Sequence, residues 1–250
     1  MADVAAVVLA AGKGTRMQSE LPKVLFPVLG RAMIHWVLDA LEAAGVRELI
    51  VVVGYREDLV RQELAGRNVQ FAVQAEQLGT GHAVQMCRPL LQSGTSPVMV
   101  VAGDSPMIQP SSVSELIQEF GASDWSCLLG TLIKEEPKGL GRIVRDPQGK
   151  FQRIVEHKDA SPDELMVKEV NMSTYLFNRP SLLAALDQLK NNNSQSEYYL
   201  TDCPALMQEQ GKLVEARPVL KPCEALSINT IDELKMVEAK MLEMGYQCKS

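Results

Sequence analysis

Eleven residues near the amino terminus, Val7 to Met17 (VVLAAGKGTRM), join an apolar run to a loop of small residues that carries Lys13 and Arg16. Backbone N–H groups in a loop of this kind, at Leu9, Ala10, Ala11, Gly12 and Gly14, can cradle a phosphate when no side chain intervenes. Lys23 follows seven residues beyond Arg16, in LPKVLFPV. Pro22 and Pro27 flank it and predict a stiff extended segment that aims the ammonium. A sharp turn with ordinary surface cations is the simpler reading of such a loop. Three cations on one short segment of an acidic chain instead favour a polyphosphate. Two familiar glycine loops are excluded. A Walker A loop needs GxxxxGK followed by Ser or Thr, and Gly12-Lys13-Gly14-Thr15-Arg16 fails it. A dinucleotide fingerprint fits at Gly12 and Gly14, but its third glycine is Met17 and the second strand ends Val53-Gly54-Tyr55, without a ribose-binding acid.

Two further positions carry chemistry. Asp104 closes the apolar run VMVVAGD. A carboxylate at the tip of a central strand suits Mg²⁺, a hard cation that prefers oxygen ligands, and it equally suits a turn. Gln74, Gly79 and Thr80 lie in VQAEQLGTGHAV. A side-chain amide offers a donor and an acceptor to a pyrimidine edge, and Gly79 permits close approach. Equally, Thr80 caps a helix and Gln74 faces solvent.

The elements that must position these residues alternate in the first half of the chain. Strands are expected at AAVVL, ELIVVVG, VQFAV and VMVVAGD, and helices at MIHWVLDALEAAG, EDLVRQELAG, HAVQMCRPLL and PSSVSELIQEF. Met33, Ile34, Val37, Leu38 and Leu41 form one helical stripe that ends at Gly45, and Trp36 beside it reads as core. Strands separated by helices predict an α/β fold with a doubly wound, mainly parallel, Rossmann-like sheet whose ligand lies beyond the carboxyl ends of the strands. After about Trp125 the pattern changes to SCLLGTLI, GRIVRD, FQRIVEHK and EVNMSTYLF, read as a smaller mixed-β lobe over the ligand end. Helices follow at Pro180 to Leu189, Leu200 to Gly211 and Ile231 to Gly245. The intervening NNNSQSE reads as a mobile loop. The expectation is a single domain of two parts, residues about 1–124 and about 125–250. No hexapeptide repeat is present, so no left-handed β-helix is expected within these residues.

Composition narrows the class. The 250 residues are 46% hydrophobic, with net charge -6, so a basic nucleic-acid face is not expected. No stretch is long and apolar enough to span a bilayer, and MADVAAVV lacks the basic start of a leader. Five scattered cysteines without a CxxC read as reduced thiols in a cytoplasmic protein.

LAAGKGTRMQSELPKVLFPVLGRAMI resembles the signature of the nucleotide-sugar pyrophosphorylases, Leu-x-x-Gly-x-Gly-Thr-Arg-Met followed by Pro-Lys. VQAEQLGTGHAV, AGDSPMI, GLGRIVRD, IVEHKDA, EVN, SEYYLTD and SIN follow in order. Together they are similar to the uridyltransferase domain of the bacterial bifunctional N-acetylglucosamine-1-phosphate uridyltransferases. The resemblance implies transfer of a uridylyl group from UTP to a sugar 1-phosphate with Mg²⁺. It implies that Arg16 and Lys23 act on the phosphates, Gln74 and Gly79 read uracil, and Gly103 lies beside the nucleotide. Asp104 and Asn229 would share the metal. Gly141, Glu156 and Asn171 would meet the sugar and its acetamido group, with Tyr199 and Thr201 nearby. The simpler readings are a turn at GLG, a Glu156–Lys158 pair, and Asn229 as the cap of the last helix. His82 and His157 are not needed as general bases, because a phosphate nucleophile carries no proton to remove at neutral pH. Two positions depart from the family pattern: Ala102 stands where it usually has Tyr, and Asn171-Met172-Ser173 where it has Asn-Thr-Gly. Alternatives are a transferase for another sugar or alcohol phosphate, and a nucleotide-sugar sensor without turnover. No protein partner is expected.

Overall fold

The apolar runs of the first half become adjacent parallel strands. In a computed structural model that describes residues 3–14, 19–228 and 230–248, β1 (Ala5–Leu9) lies between β4 (Glu48–Val53) and β6 (Val98–Ala102), parallel to both. β5 (Gln70–Val73) extends the sheet beyond β4. β2 (Pro27–Val28) and β3 (Arg31–Ala32) form a small separate ribbon. The strands after Trp125 continue the same sheet. β10 (Glu169–Phe177) runs antiparallel to β6 and to β7 (Cys127–Ile133), and β11 (Val214–Arg217) runs parallel to β7. The full order is β11-β7-β10-β6-β1-β4-β5, with the hairpin of β8 (Arg142–Arg145) and β9 (Phe151–Val155) branching from β10.

Burial on both faces explains the unbroken apolar strands. On β1, Ala6 and Val8 face one core layer and Val7 the other. The first layer includes the stripe of α1 (Met33–Ala43) and α5 (Pro110–Phe120), where Ile34, Leu38, Leu116 and Val113 are fully buried. Each such side chain contributes about 1.5–3 kcal/mol relative to exposure. The second layer takes Ala83 and Val84 of α3 (Thr80–Gln85), Leu182 and Leu186 of α7 (Arg179–Leu186), and Met207 of α8 (Cys203–Glu209). The short helix α2 (Glu57–Glu63) covers the first layer through Val60. HAVQMCRPLL is not one helix. It breaks between α3 and α4 (Arg88–Leu91), where Pro89 is accommodated in the first turn of the new helix. α6 (Pro162–Leu165) is closed by a capping box between Ser161 and Glu164. α9 (Ile231–Glu243) packs Val237 and Met241 against Val28, Leu29 and Met33. Trp36 joins that cluster, edge-on to Tyr246, and its indole N–H donates to the Val28 carbonyl.

Among the described residues, no helix is long and apolar enough to cross a membrane. All five thiols are unpaired, and four are buried. Burial pushes the Cys87 thiol up to about 12, so it carries no thiolate chemistry at neutral pH.

The chain passes outward from β1 through β4 to β5, then returns to β6 on the other side of β1. That reversal opens a crevice at the carboxyl ends of β1 and β6, the place where open α/β sheets take their ligands.

Candidate active site

A cavity of about 390 Å³ fills this crevice. Leu9, Ala10, Ala11 and Gly12 border it from the end of β1, Gln74 from the end of β5, and Ala102 and Asp104 from the end of β6. Lys23, Gly79 and Thr80 complete the predicted set. Arg16 and Asn229 lie outside the described residues. Val24, Gln77, Ala83 and Glu197 also line the cavity and were not singled out from the sequence, and Ser173, one of the departures from the family pattern, joins them.

Lys23 reaches across to β6. Its Nζ donates to Asp104 Oδ2 at 2.5 Å, with 15% and 29% of the two side chains exposed. The segment is not extended throughout: Pro22 is, but a 3-10 turn begins at Lys23 and turns its side chain inward. Gly14 makes the approach possible. It is left-handed (φ +65°), and a Cβ there would fall 2.7 Å from the Lys23 Cβ. Gly12 has a different reason to be glycine, since a Cβ would meet no protein atom within 4 Å and would project beside the cavity. Lys13 stands outside, its Nζ 5.2 Å from the centre of the Tyr55 ring.

Asp104 is fitted to a divalent cation by what already sits on it. The Lys23 ammonium, itself a cation, is held by one oxygen of this carboxylate. A single strand-end carboxylate suits Mg²⁺, which commonly completes its shell with phosphates and water. The described residues contain no cluster of three or more His, Cys, Asp or Glu side chains that could hold a metal by themselves.

Gln74 is 4% exposed and does not face solvent. Its Nε2 donates to the Gly79 carbonyl (3.0 Å) and lies 3.1 Å from His82 Nδ1. Thr80 caps nothing: its hydroxyl accepts from Leu200 N–H, while Gly81 N–H donates to the Tyr198 carbonyl. The residues 196–201 are thereby tied onto the loop that carries Gln74, and Glu197 is drawn to the cavity. Gly79 is required by this packing, because at φ +108° a Cβ would lie 2.6 Å from the Tyr198 oxygen. Gly79→Ala is therefore expected to lose about 2 kcal/mol or more of stability in urea unfolding. Gly12→Ala should unfold at the parental midpoint and lose nucleotide affinity instead. Gly103 is also explained by the chain itself. It does not border the cavity, its N–H donates to the Leu9 carbonyl, and a Cβ would press on that same oxygen at 2.8 Å.

The residues expected near the sugar divide. Glu156, Tyr199 and Thr201 line a second, polar cavity of about 440 Å³ with Arg153, Asp159 and Asp202. Gly141 and Asn171 border neither cavity. Thr201 Oγ1 donates to Glu156 Oε1 at 3.2 Å, and Lys158 bonds Gln195 rather than Glu156. Burial pushes the Glu156 carboxyl above its ordinary range, the Thr201 hydroxyl opposes this, and nearby Asp159, Asp202 and Glu197 add to it. Tyr199 Oη donates to Asp159 Oδ2 (3.3 Å) and accepts from Gln195. Asn171 N–H donates to the Gly141 carbonyl, and its side-chain amide donates to Tyr175 Oη at 2.7 Å. An irregularity in the β10–β7 register falls between Asn171 and Thr174. Within it Ser173 is left-handed (φ +53°), a conformation costly for a residue with a Cβ, and it lines the first cavity. Thr230 caps α9, its hydroxyl accepting from Glu233 N–H. The loop NNNSQSE is pinned by Asn193, whose Oδ1 accepts from Gln195 and Glu197 N–H groups.

Residues 6–200 match the model of the MobA-like NTP transferase domain. This chain belongs to that family. The bifunctional protein GlmU of Heliobacterium modesticaldum is 46% identical over 234 residues, covering 94% of this chain and 51% of the relative. That of Geobacter metallireducens is 42% identical over 240 residues, covering 96% of this chain and 50% of the relative. The chain thus spans about half the length of the curated relatives it matches. A solved structure of UDP-glucose pyrophosphorylase complexed with UDP-glucose has a TM-score of 0.77 over 98% of this chain and 100% of its own, at 16% identity, a likeness of fold. The transferase family accounts for a crevice that gathers small residues, a lysine and a strand-end carboxylate at one point of the sheet.

Proposed function

We propose that this NTP transferase domain makes UDP-N-acetylglucosamine and pyrophosphate from UTP and N-acetylglucosamine 1-phosphate. The observation that carries the reading is the convergence of Lys23, Asp104 and the buried Gln74 amide on one cavity at the switch point of the sheet. The similarity to GlmU proteins supports the choice of sugar. The nucleotide is assigned to residues about 1–124 and the sugar to about 125–250.

An oxygen of the sugar phosphate attacks the α-phosphorus of UTP in line with the departing pyrophosphate. That oxygen is already ionised, so no side chain needs to act as a base. Catalysis is then positioning and neutralisation of charge. The main-chain groups from Leu9 to Gly12 border the triphosphate, and Lys23 with Arg16 holds its phosphates. Gln74 meets the uracil edge. A magnesium ion would be held by Asp104 and Asn229 and would supply positive charge that stabilises the phosphates during transfer. Glu156 and Asn171 would orient the sugar hydroxyls and acetamide, with Gly141, Tyr199 and Thr201 supporting them.

A second reading has its own observation. Ala102 and Ser173 both border the cavity, at the positions that depart from the family pattern, so its wall loses a ring at one point and gains a side chain at another, which favours a different sugar phosphate. Pyrophosphate release with a panel of sugar 1-phosphates and nucleoside triphosphates decides between the two. N-acetylglucosamine 1-phosphate with UTP should give the highest kcat/KM. Glucose 1-phosphate should fall about tenfold or more below it, because polar groups meant for the acetamide are left unpaired. A preference for glucose 1-phosphate would move the chain to the second reading, and absence of turnover with every pair would make it a binding protein.

A further inference from the structure

His82 was set aside as a base, yet it touches the side chain that meets the nucleobase. The Gln74 amide nitrogen is identified by its partner. The Gly79 carbonyl can only accept, so the atom 3.0 Å from it must be the N–H donor, Nε2. The same Nε2 lies 3.1 Å from His82 Nδ1. With one amide proton on Gly79, the other points at the imidazole, where it requires a lone pair on Nδ1. Both donors of Gln74 are thus used inside the protein. Among the described residues no hydrogen bond reaches its Oε1, and Gln74 borders the cavity.

The ligand-facing end of Gln74 is therefore an acceptor. It complements a ring N–H, as in the imide of uracil. Cytosine presents a lone pair at the same ring position, and two acceptors would face each other. Rotation of the amide by half a turn would reverse this selectivity. It would also set Oε1 against the Gly79 carbonyl and against the Nδ1 lone pair together. His82 is held for the task on α3, where the Gly81 N–H bonds the Tyr198 carbonyl and the imidazole lies 6.4 Å from the Tyr198 ring.

We propose that His82 is a positioning residue for nucleobase choice: its Nδ1 lone pair, acting with the Gly79 carbonyl, fixes the Gln74 amide so that Oε1 selects a base with a ring N–H. This rests on the reading of the cavity as a uridine nucleotide site.

The test compares kcat/KM for UTP and CTP with N-acetylglucosamine 1-phosphate. His82→Phe keeps a flat ring and removes the acceptor. The UTP-to-CTP ratio is expected to fall about tenfold, because the amide keeps only one of its two anchors. His82→Asn returns an acceptor at the same branch of the side chain and should restore most of the ratio. Gln74→Ala separates the two levels of the argument. An unchanged ratio in Gln74→Ala defeats the uridine reading of this contact. A collapsed ratio there with a parental ratio in His82→Phe defeats the role of His82 alone. The parent protein supplies a readout that does not depend on a variant folding. Its imidazole ¹⁵N spectrum at neutral pH should show the His82 proton on Nε2 and an unprotonated Nδ1, and a proton on Nδ1 overturns the proposal.

Discussion

Asp104→Ala is expected to lower kcat by about a thousandfold or more while leaving nucleotide affinity within a few-fold of the parent. The carboxylate stands at the end of β6, where the cavity opens, and its one described partner is a cation. Its proposed work is to hold positive charge against phosphates whose negative charge redistributes during transfer. Contributions of that kind are realised mainly in the transition state, so their removal appears in kcat. The variant also leaves the half-buried Lys23 ammonium without this carboxylate, which should cost about 1 kcal/mol of stability. Asp104→Asn keeps the shape and removes the charge, and it should be nearly as slow as the alanine variant. Steady-state kinetics across magnesium concentrations, with urea unfolding alongside, measures both effects. Turnover within tenfold of the parent in either variant would remove Asp104 from the chemistry.

Legibility in the sequence followed how local the cause was. The stripe from Met33 to Leu41 and the apolar runs of β1, β4 and β6 are set by burial along one element, and periodicity reports that directly. β11 was missed because VEAR is short and half polar, and only its pairing with β7 makes it a strand. HAVQMCRPLL kept an apolar rhythm across its break, so rhythm alone could not reveal two helices. The change of pattern after Trp125 was visible, but not that β7, β10 and β11 would join the first sheet, since strand pairing across the chain leaves no mark in either segment.

The site divides in the same way. Small residues after β1 and a carboxylate after β6 are local signals, and both line the cavity. The glycines misled in detail. Gly14, Gly79 and Gly103 make room for Lys23, Tyr198 and Leu9 of the same chain, and of these four glycines Gly12 alone faces open space. The Lys23–Asp104 pair joins residues 81 positions apart, and the Gln74–His82 contact depends on how a loop closes. Ser173 was marked as standing where the family has glycine, and the left-handed backbone that it adopts is the conformation a glycine would take without strain.

Lys23→Ala is expected to slow turnover by about a hundredfold or more and, in the nucleotide-free protein, to tighten binding of a divalent cation several-fold. The two outcomes share one cause. In the structure the Lys23 ammonium sits on Asp104 Oδ2, so a metal taking that oxygen would have to displace a positive charge already in place. A bound triphosphate would offer Lys23 a richer anion and leave the carboxylate free for a metal. On the proposed reading, lysine and metal would compete for Asp104 until a triphosphate binds. Alanine is the right replacement because it keeps the Cβ that packs against Gly14, so the turn at Lys23 should persist. Mn²⁺ binding to the nucleotide-free protein, followed by electron paramagnetic resonance, reports the first effect, and pyrophosphate release reports the second. Slow turnover with unchanged Mn²⁺ affinity would leave Lys23 a phosphate ligand and nothing more. Tighter Mn²⁺ binding with parental turnover would mean that it guards the carboxylate but takes no part in transfer.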